Sequence, residues 1–147
     1  MASPTPTPTP PKVFVDSSVF FAAANSATGS AHDLLLAAIQ GRVSLVLSDY
    51  VLEETARNLL HSAPRAHAAF LRFRAALPYQ LSHPSQALVV DTARVVAAKD
   101  APVIAAARAA QATLVATYDR KDLLSKRPEI LAAFGVTVAP PMRSSPA

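Results

Sequence analysis

Five short apolar runs, set apart by helix-length stretches, constrain this chain more than any other feature. They are "KVFV" ending at Val15, "VSLVL" ending at Leu47, "QALVV" ending at Val90, "ATLVAT" ending at Thr117 and "GVTV" ending at Val138. A strand with one wet face alternates apolar and polar residues. Runs that barely alternate suit strands buried on both faces, as in a parallel sheet covered by helices on each side. The stretches between them read as those helices. "SAHDLLLAAIQG" has Ser30 three residues before Asp33, a capping-box-like start, and Gly41 as its stop. "SDYVLEETARNLL" is a helix begun by Ser48 or Asp49, and another runs from Pro64 to Leu77. "DAPVIAAARAAQ" is an alanine-rich helix with Asp100 as its N-cap, and "DRKDLLSK" a shorter one. The expected fold is α/β: a three-layer α/β/α sandwich around a mostly parallel sheet.

The folded unit expected from this pattern spans residues 12–139, a single domain in a chain of 147. The Thr/Pro repeats of residues 1–11 suit an extended, solvated tail, and residues 140–147 ("PPMRSSPA" from Pro140) read as a second, flexible one. No apolar run reaches the roughly 18 residues that a membrane span needs. The chain holds no cysteine, which excludes disulfides and thiolate chemistry and suits a reducing cytoplasm, and its first residues lack the layout of a secretory signal. Fourteen Lys/Arg against ten Asp/Glu give a net charge of +4, which permits a polyanionic partner without requiring one.

In a parallel α/β sheet, ligands bind beyond the carboxyl ends of the strands. The residues that follow the apolar runs are therefore the place to look for chemistry. After "KVFV" comes Asp16, with Ser17 and Ser18 behind it. After "VSLVL" come Asp49, Glu53 and Glu54; after "QALVV", Asp91 and then Asp100; after "ATLVAT", Asp119 and Asp122. Any one of these could cap a helix. Capping does not account for Glu53 or Glu54, which lie inside a helix, nor for the gathering of most of the chain's acids at one rim. Carboxylates brought that close repel unless a cation joins them. All-oxygen ligands select Mg²⁺ or Mn²⁺, and the matching chemistry is phosphodiester hydrolysis. On the helical wheel Glu53 and Glu54 both lie off the apolar stripe, and the wheel does not choose between them.

The order "VFVDSSVFFAA", "LVLSDYVLEETARNLL" and "AKDAPVIAAARAAQATLVATYDRKDLL" resembles the PIN-domain family of metal-dependent ribonucleases, which has toxin-like bacterial members. The resemblance covers the chain from Val13 to Val138. It implies a catalytic, metal-holding quartet of Asp16, Glu54, Asp100 and Asp119, with Asp122 as a frequent addition, and Mg²⁺ or Mn²⁺ as cofactor. It implies single-stranded RNA as substrate, cut by an endoribonuclease to 5′-phosphate and 3′-hydroxyl ends. It leaves open a homodimer, an antitoxin protein that covers the acidic rim, and an inactive scaffold. The family often carries Asn where this chain has Ser18, so the hydrogen bonding behind Asp16 is expected to differ.

Ser17, Ser18 and Thr117 are placed to orient the carboxylates. Arg57, Arg65 and Arg72 form a basic row that suits a nucleic-acid backbone, and an ordinary solvated face explains it as well. The four histidines show no metal-binding spacing and read as surface residues. A haloacid-dehalogenase phosphatase would need Asp-x-Asp at the first strand, where Ser18 interrupts it, and three glycines leave no phosphate-cradling loop.

Overall fold

Strand β1 (Lys12–Val15) lies at the centre of a five-stranded sheet, because its apolar residues can be covered from both sides. Val13, Phe14 and Val15 are at most 2% exposed. The computed structural model describes residues 9–142; the tails expected at 1–11 and 140–147 fall largely outside it. The other strands are β2 (Ser44–Leu47), β3 (Tyr79–Leu81), β4 (Leu114–Ala116) and β5 (Thr137–Ala139), in the order β3-β2-β1-β4-β5, and every pairing is parallel. The helices are α1 (Ser17–Asn25), α2 (Ser30–Ile39), α3 (Asp49–Ser62), α4 (His67–Ala76), α5 (Gln86–Thr92), α6 (Ala101–Ala109) and α7 (Arg127–Phe134). Helix α1 packs against α2, α3 and α4, with Phe20 meeting Phe70 edge-on at 5.3 Å. Helix α5 packs on α6, α6 on β1 and β4, and α7 on β5. The expected α/β sandwich is the observed one. Among the described residues no helix is long and apolar enough to cross a membrane.

"QALVV" is not a strand. Pro84 and Ser85 precede it, and the Ser85 hydroxyl accepts the Leu88 N–H at 3.1 Å, which caps α5. Val90 points outward, 60% exposed. The third strand is instead "YQL", three residues behind Pro78 on the sheet's edge, too short and too polar to stand out by pattern. Asp91 consequently leaves the rim. It accepts from Arg108 at 2.9 Å and Arg94 at 2.5 Å, and these bonds, that from Arg108 foremost, hold its carboxyl below the usual range. Arg108 also stacks on Phe134, 3.9 Å from the ring centre, so this acid belongs to a surface clamp joining α5, α6 and α7.

Three smaller differences are local. The helix expected over 64–77 begins as a 3-10 turn (Pro64–Ala66) before α4. "DRKDLLSK" forms turns and a 3-10 segment (Leu124–Lys126), and the regular helix follows as α7, ended by Gly135 at φ 69°. His32 is not a plain surface residue: it meets Phe73 edge-on at 5.9 Å, with Nδ1 buried.

Candidate metal centre

The sheet's topological switch point lies between β1 and β4, the place where a parallel α/β sheet opens a crevice at the carboxyl ends of its strands. A cleft of about 510 Å³ lies there, and Asp16, Glu54, Asp100 and Asp119 all line it. Glu53 is exposed and does not.

Asp16 extends β1 by one residue, its N–H donating to Ala116 O at 3.0 Å. It stands at the N-cap of α1, and its backbone carbonyl accepts the Val19 and Phe20 N–H groups. Its side chain makes no capping bond. The carboxylate Oδ2 instead accepts the Thr117 hydroxyl, just past β4, at 2.7 Å and the Ser18 hydroxyl, in the first turn of α1, at 2.9 Å. The side chain is nearly buried, and burial pushes its carboxyl above the usual value near 3.8 against the pull of these hydrogen bonds; Glu54 adds a smaller upward push by charge repulsion. Capping therefore leaves this carboxylate unexplained. Two hydroxyls hold it, and among the described residues no cation pairs with it.

The same hydroxyls organise the β4 side. Thr117 Oγ1 accepts the Asp119 N–H at 3.0 Å, and Ser18 Oγ accepts the Tyr118 N–H at 3.0 Å. The Asp119 Oδ1 in turn accepts the Asp122 N–H at 3.0 Å, which folds the turn that carries both acids. Glu54 reaches the cleft from α3, whose start is set by the Ser48 hydroxyl accepting Val51 N–H, and the Ser17 hydroxyl donates to its Oε1. Asp100 caps α6 by position without a side-chain bond. Burial raises its carboxyl, and Lys99 pulls it down.

Asp100, Asp119 and Asp122 each bring a carboxylate oxygen within 4.8 Å of the others. Asp16 and Glu54 line the same cleft outside that group of three. Asp100 Oδ2 is buried and has no hydrogen-bond partner. A buried carboxylate oxygen without a hydrogen bond, among three converging carboxylates whose one nearby cation is the exposed Lys99 ammonium 3.3 Å from it, fits a hard divalent ion. The residues present thus suit Mg²⁺ or Mn²⁺.

The basic row does not continue as a helical stripe. Helix α3 stops at Ser62, so Arg65 sits on the 3-10 turn beside Ala24 and Asn25, and Arg72 lies on α4. All three are exposed, and none lines the cleft. Pattern reading passed over the exposed basic turn of Arg120, Lys121, Lys126 and Arg127, which follows Asp119 directly, and Lys99, which lines the cleft itself. Clustering of charge just past a strand-end acid was the available signal for the turn.

Glu54 and Glu53 are adjacent in sequence and differ only in which way α3 turns them. Glu54→Gln is expected to weaken Mn²⁺ binding by tenfold or more, while Glu53→Gln leaves it within about twofold. Titration calorimetry of both variants checks this, and equal losses would remove the distinction.

No family model matches the chain, and no curated protein matches it in sequence. Solved structures do. VapC20 from Mycobacterium tuberculosis, a sarcin-ricin-loop-cleaving toxin, is similar at 19% identity and TM-score 0.58, over 85% of this chain and 98% of that one. PAE2754 from Pyrobaculum aerophilum is similar at 18% identity and TM-score 0.59, over 88% and 83%. VapBC2 from Rickettsia felis, solved bound to a DNA fragment from its promoter, is similar at 15% identity and TM-score 0.58, over 86% and 96%. At these identities the likeness speaks for the backbone and its topology. The chain has the PIN-domain fold that its sequence motifs imply.

Proposed function

We propose that this chain is a metal-dependent endoribonuclease of the PIN-domain family, with Asp16, Glu54, Asp100 and Asp119 as the catalytic and metal-holding residues and Asp122 as a further ligand. The observation that carries this reading is the Asp100 Oδ2 oxygen, buried and undonated in a cleft that four further acids enter or border. The ion, Mg²⁺ or Mn²⁺, would supply a more acidic water and positive charge for the phosphate. The chain's own residues supply position. The Thr117 and Ser18 hydroxyls hold the Asp16 carboxylate in one orientation, the Ser17 hydroxyl holds Glu54, and the Asp119–Asp122 turn is closed by the Asp122 N–H donating to the Asp119 carboxylate. None of these groups must reorganise as charge develops on the phosphate, which is the condition for electrostatic catalysis.

Likeness to a toxin that cleaves the sarcin-ricin loop supports RNA as the substrate, and likeness to VapBC2 supports an antitoxin as partner. Tyr50 and Tyr118 line the cleft partly exposed, and flat rings beside a phosphate site favour unpaired bases over a duplex. The test is cleavage of a single-stranded RNA by the purified protein with Mn²⁺, with Mg²⁺, and with a chelator. Metal-dependent 5′-phosphate ends are expected. Undiminished cleavage in the chelator, or none with either ion, would overturn the proposal.

Arg57, Arg65 and Arg72 are proposed to contact the substrate backbone outside the cleft. Replacing each by Ala should weaken RNA binding irrespective of sequence and lower the salt slope by about one. A triple variant with unchanged salt dependence would leave them as a solvated surface.

A further inference from the structure

Among the described residues lining the cleft, Lys99 is the one cation. It precedes Asp100 directly, and its Nζ donates to Asp100 Oδ1 at 3.4 Å and to Asp122 Oδ2 at 2.5 Å. Asp100 Oδ2 is 3.3 Å away, without hydrogen-bond geometry. Asp122 lies 23 residues further on, so the side chain reaches across the rim to a second element. Both carboxylates belong to the group of three whose oxygens converge with those of Asp119. The ammonium therefore stands against two of the three groups best arranged to hold a metal. The Lys99 side chain is 64% exposed, so its stem can swing into solvent without breaking a packed core.

We propose that Lys99 is a tethered cation: it offsets the repulsion among Asp100, Asp119 and Asp122 when no divalent ion is bound, and a divalent ion enters by exchange for its ammonium. This rests on the metal-centre reading above. One positive charge against three carboxylates leaves the cluster still attractive to a dication, so exchange can proceed. It must first break the bonds to Asp122 and Asp100. Lys99 thus sets how much metal is needed to load the site.

The test is Mn²⁺ titration of the full chain and of Lys99→Met, which keeps most of the stem and removes the charge. The variant should bind Mn²⁺ about five- to tenfold more tightly, the scale of one or two exposed ion pairs. Arg120→Met and Lys121→Met remove the same charge from the adjoining turn without touching the carboxylates, and each should change affinity by twofold or less. Mass spectrometry of amine acylation gives a second reading: Mn²⁺ should speed modification of Lys99 in the wild type. Unchanged or weaker affinity in Lys99→Met overturns the exchange, as does an equal gain in the control variants or acylation that Mn²⁺ does not speed. In each of those outcomes wild-type binding persists, so the metal centre stands. A wild type that binds no Mn²⁺ overturns both.

Discussion

Asp16→Asn is expected to abolish RNA cleavage while leaving the metal-free protein at least as stable as the wild type. The carboxylate is nearly buried, accepts hydroxyls from Thr117 and Ser18, and has its pKa raised by burial. A raised carboxyl means that the charged form is the costly one in the folded state. Asn keeps an oxygen for both hydroxyls and removes that charge. The sign follows from linkage. Metal-free wild type should gain stability as pH falls through the raised value toward 3.8, because there the folded state takes up a proton that the unfolded chain does not. In Asp16→Asn that share of the gain disappears, while the share from Asp100, also raised by burial, persists. With Mn²⁺ the order reverses. A ligand present at a hundred times its dissociation constant stabilises a fold by about 2.7 kcal/mol, and the variant should lose most of that shift. Melting curves at two pH values, with and without Mn²⁺, read all of this at once. A variant that still gains the full Mn²⁺ shift would sink the assignment of Asp16 to the metal centre.

Thr117→Val is expected to cost roughly 2–3 kcal/mol of stability and to lower cleavage with it. Thr117 is fully buried, and its single hydroxyl does two jobs. It donates to the buried Asp16 carboxylate and accepts the Asp119 N–H, joining the end of β1 to the turn that carries two further acids. Valine has the same shape but leaves the Asp119 N–H without its acceptor and the buried Asp16 carboxylate with only the Ser18 hydroxyl, which is the expensive way to lose a hydrogen bond. For a domain of this size the loss corresponds to a melting temperature lower by about 5–10 °C. Because the Thr117 bond pulls the Asp16 carboxyl down, the variant should also carry Asp16 higher still, and its stability should improve more steeply on acidification. Thr117→Ser restores the hydroxyl and should recover most of the melting temperature and activity. Wild-type stability in Thr117→Val would show that the hydroxyl bonds are replaced by water.

Where a residue's role depended on its neighbours in the chain, the sequence carried the signal, although the local cap at Ser85 was not read from it. The apolar run Val13–Val15 could be buried only between two helical layers, so it named a central strand, and a charge directly after it had to stand at the strand's mouth. The start of α3 at Ser48 or Asp49, Gly41 after α2 and Asp100 before α6 were legible for the same reason, since helix ends and left-handed turns are matters of a few adjacent residues, and in the structure Ser48 is the cap of α3. The gathering of acids past the strand ends could be read from order alone, because parallel strands all present their carboxyl ends to one side.

What the tertiary structure decided lies between residues far apart in the chain. "QALVV" and "YQL" exchanged roles because a local cap at Ser85 made the first a helix, while only pairing with β2 made the second a strand. With that exchange Asp91 left the rim for Arg94 and Arg108. The turn of α3 sent Glu54 into the cleft and Glu53 to solvent. A separation of 101 positions between Asp16 and Thr117 closes into one hydrogen bond, and one of 23 between Lys99 and Asp122 into another. Residue types and spacing set which groups could carry charge at the rim; packing of the layers set which of them meet, because contact across a sheet depends on register and burial that no local pattern encodes.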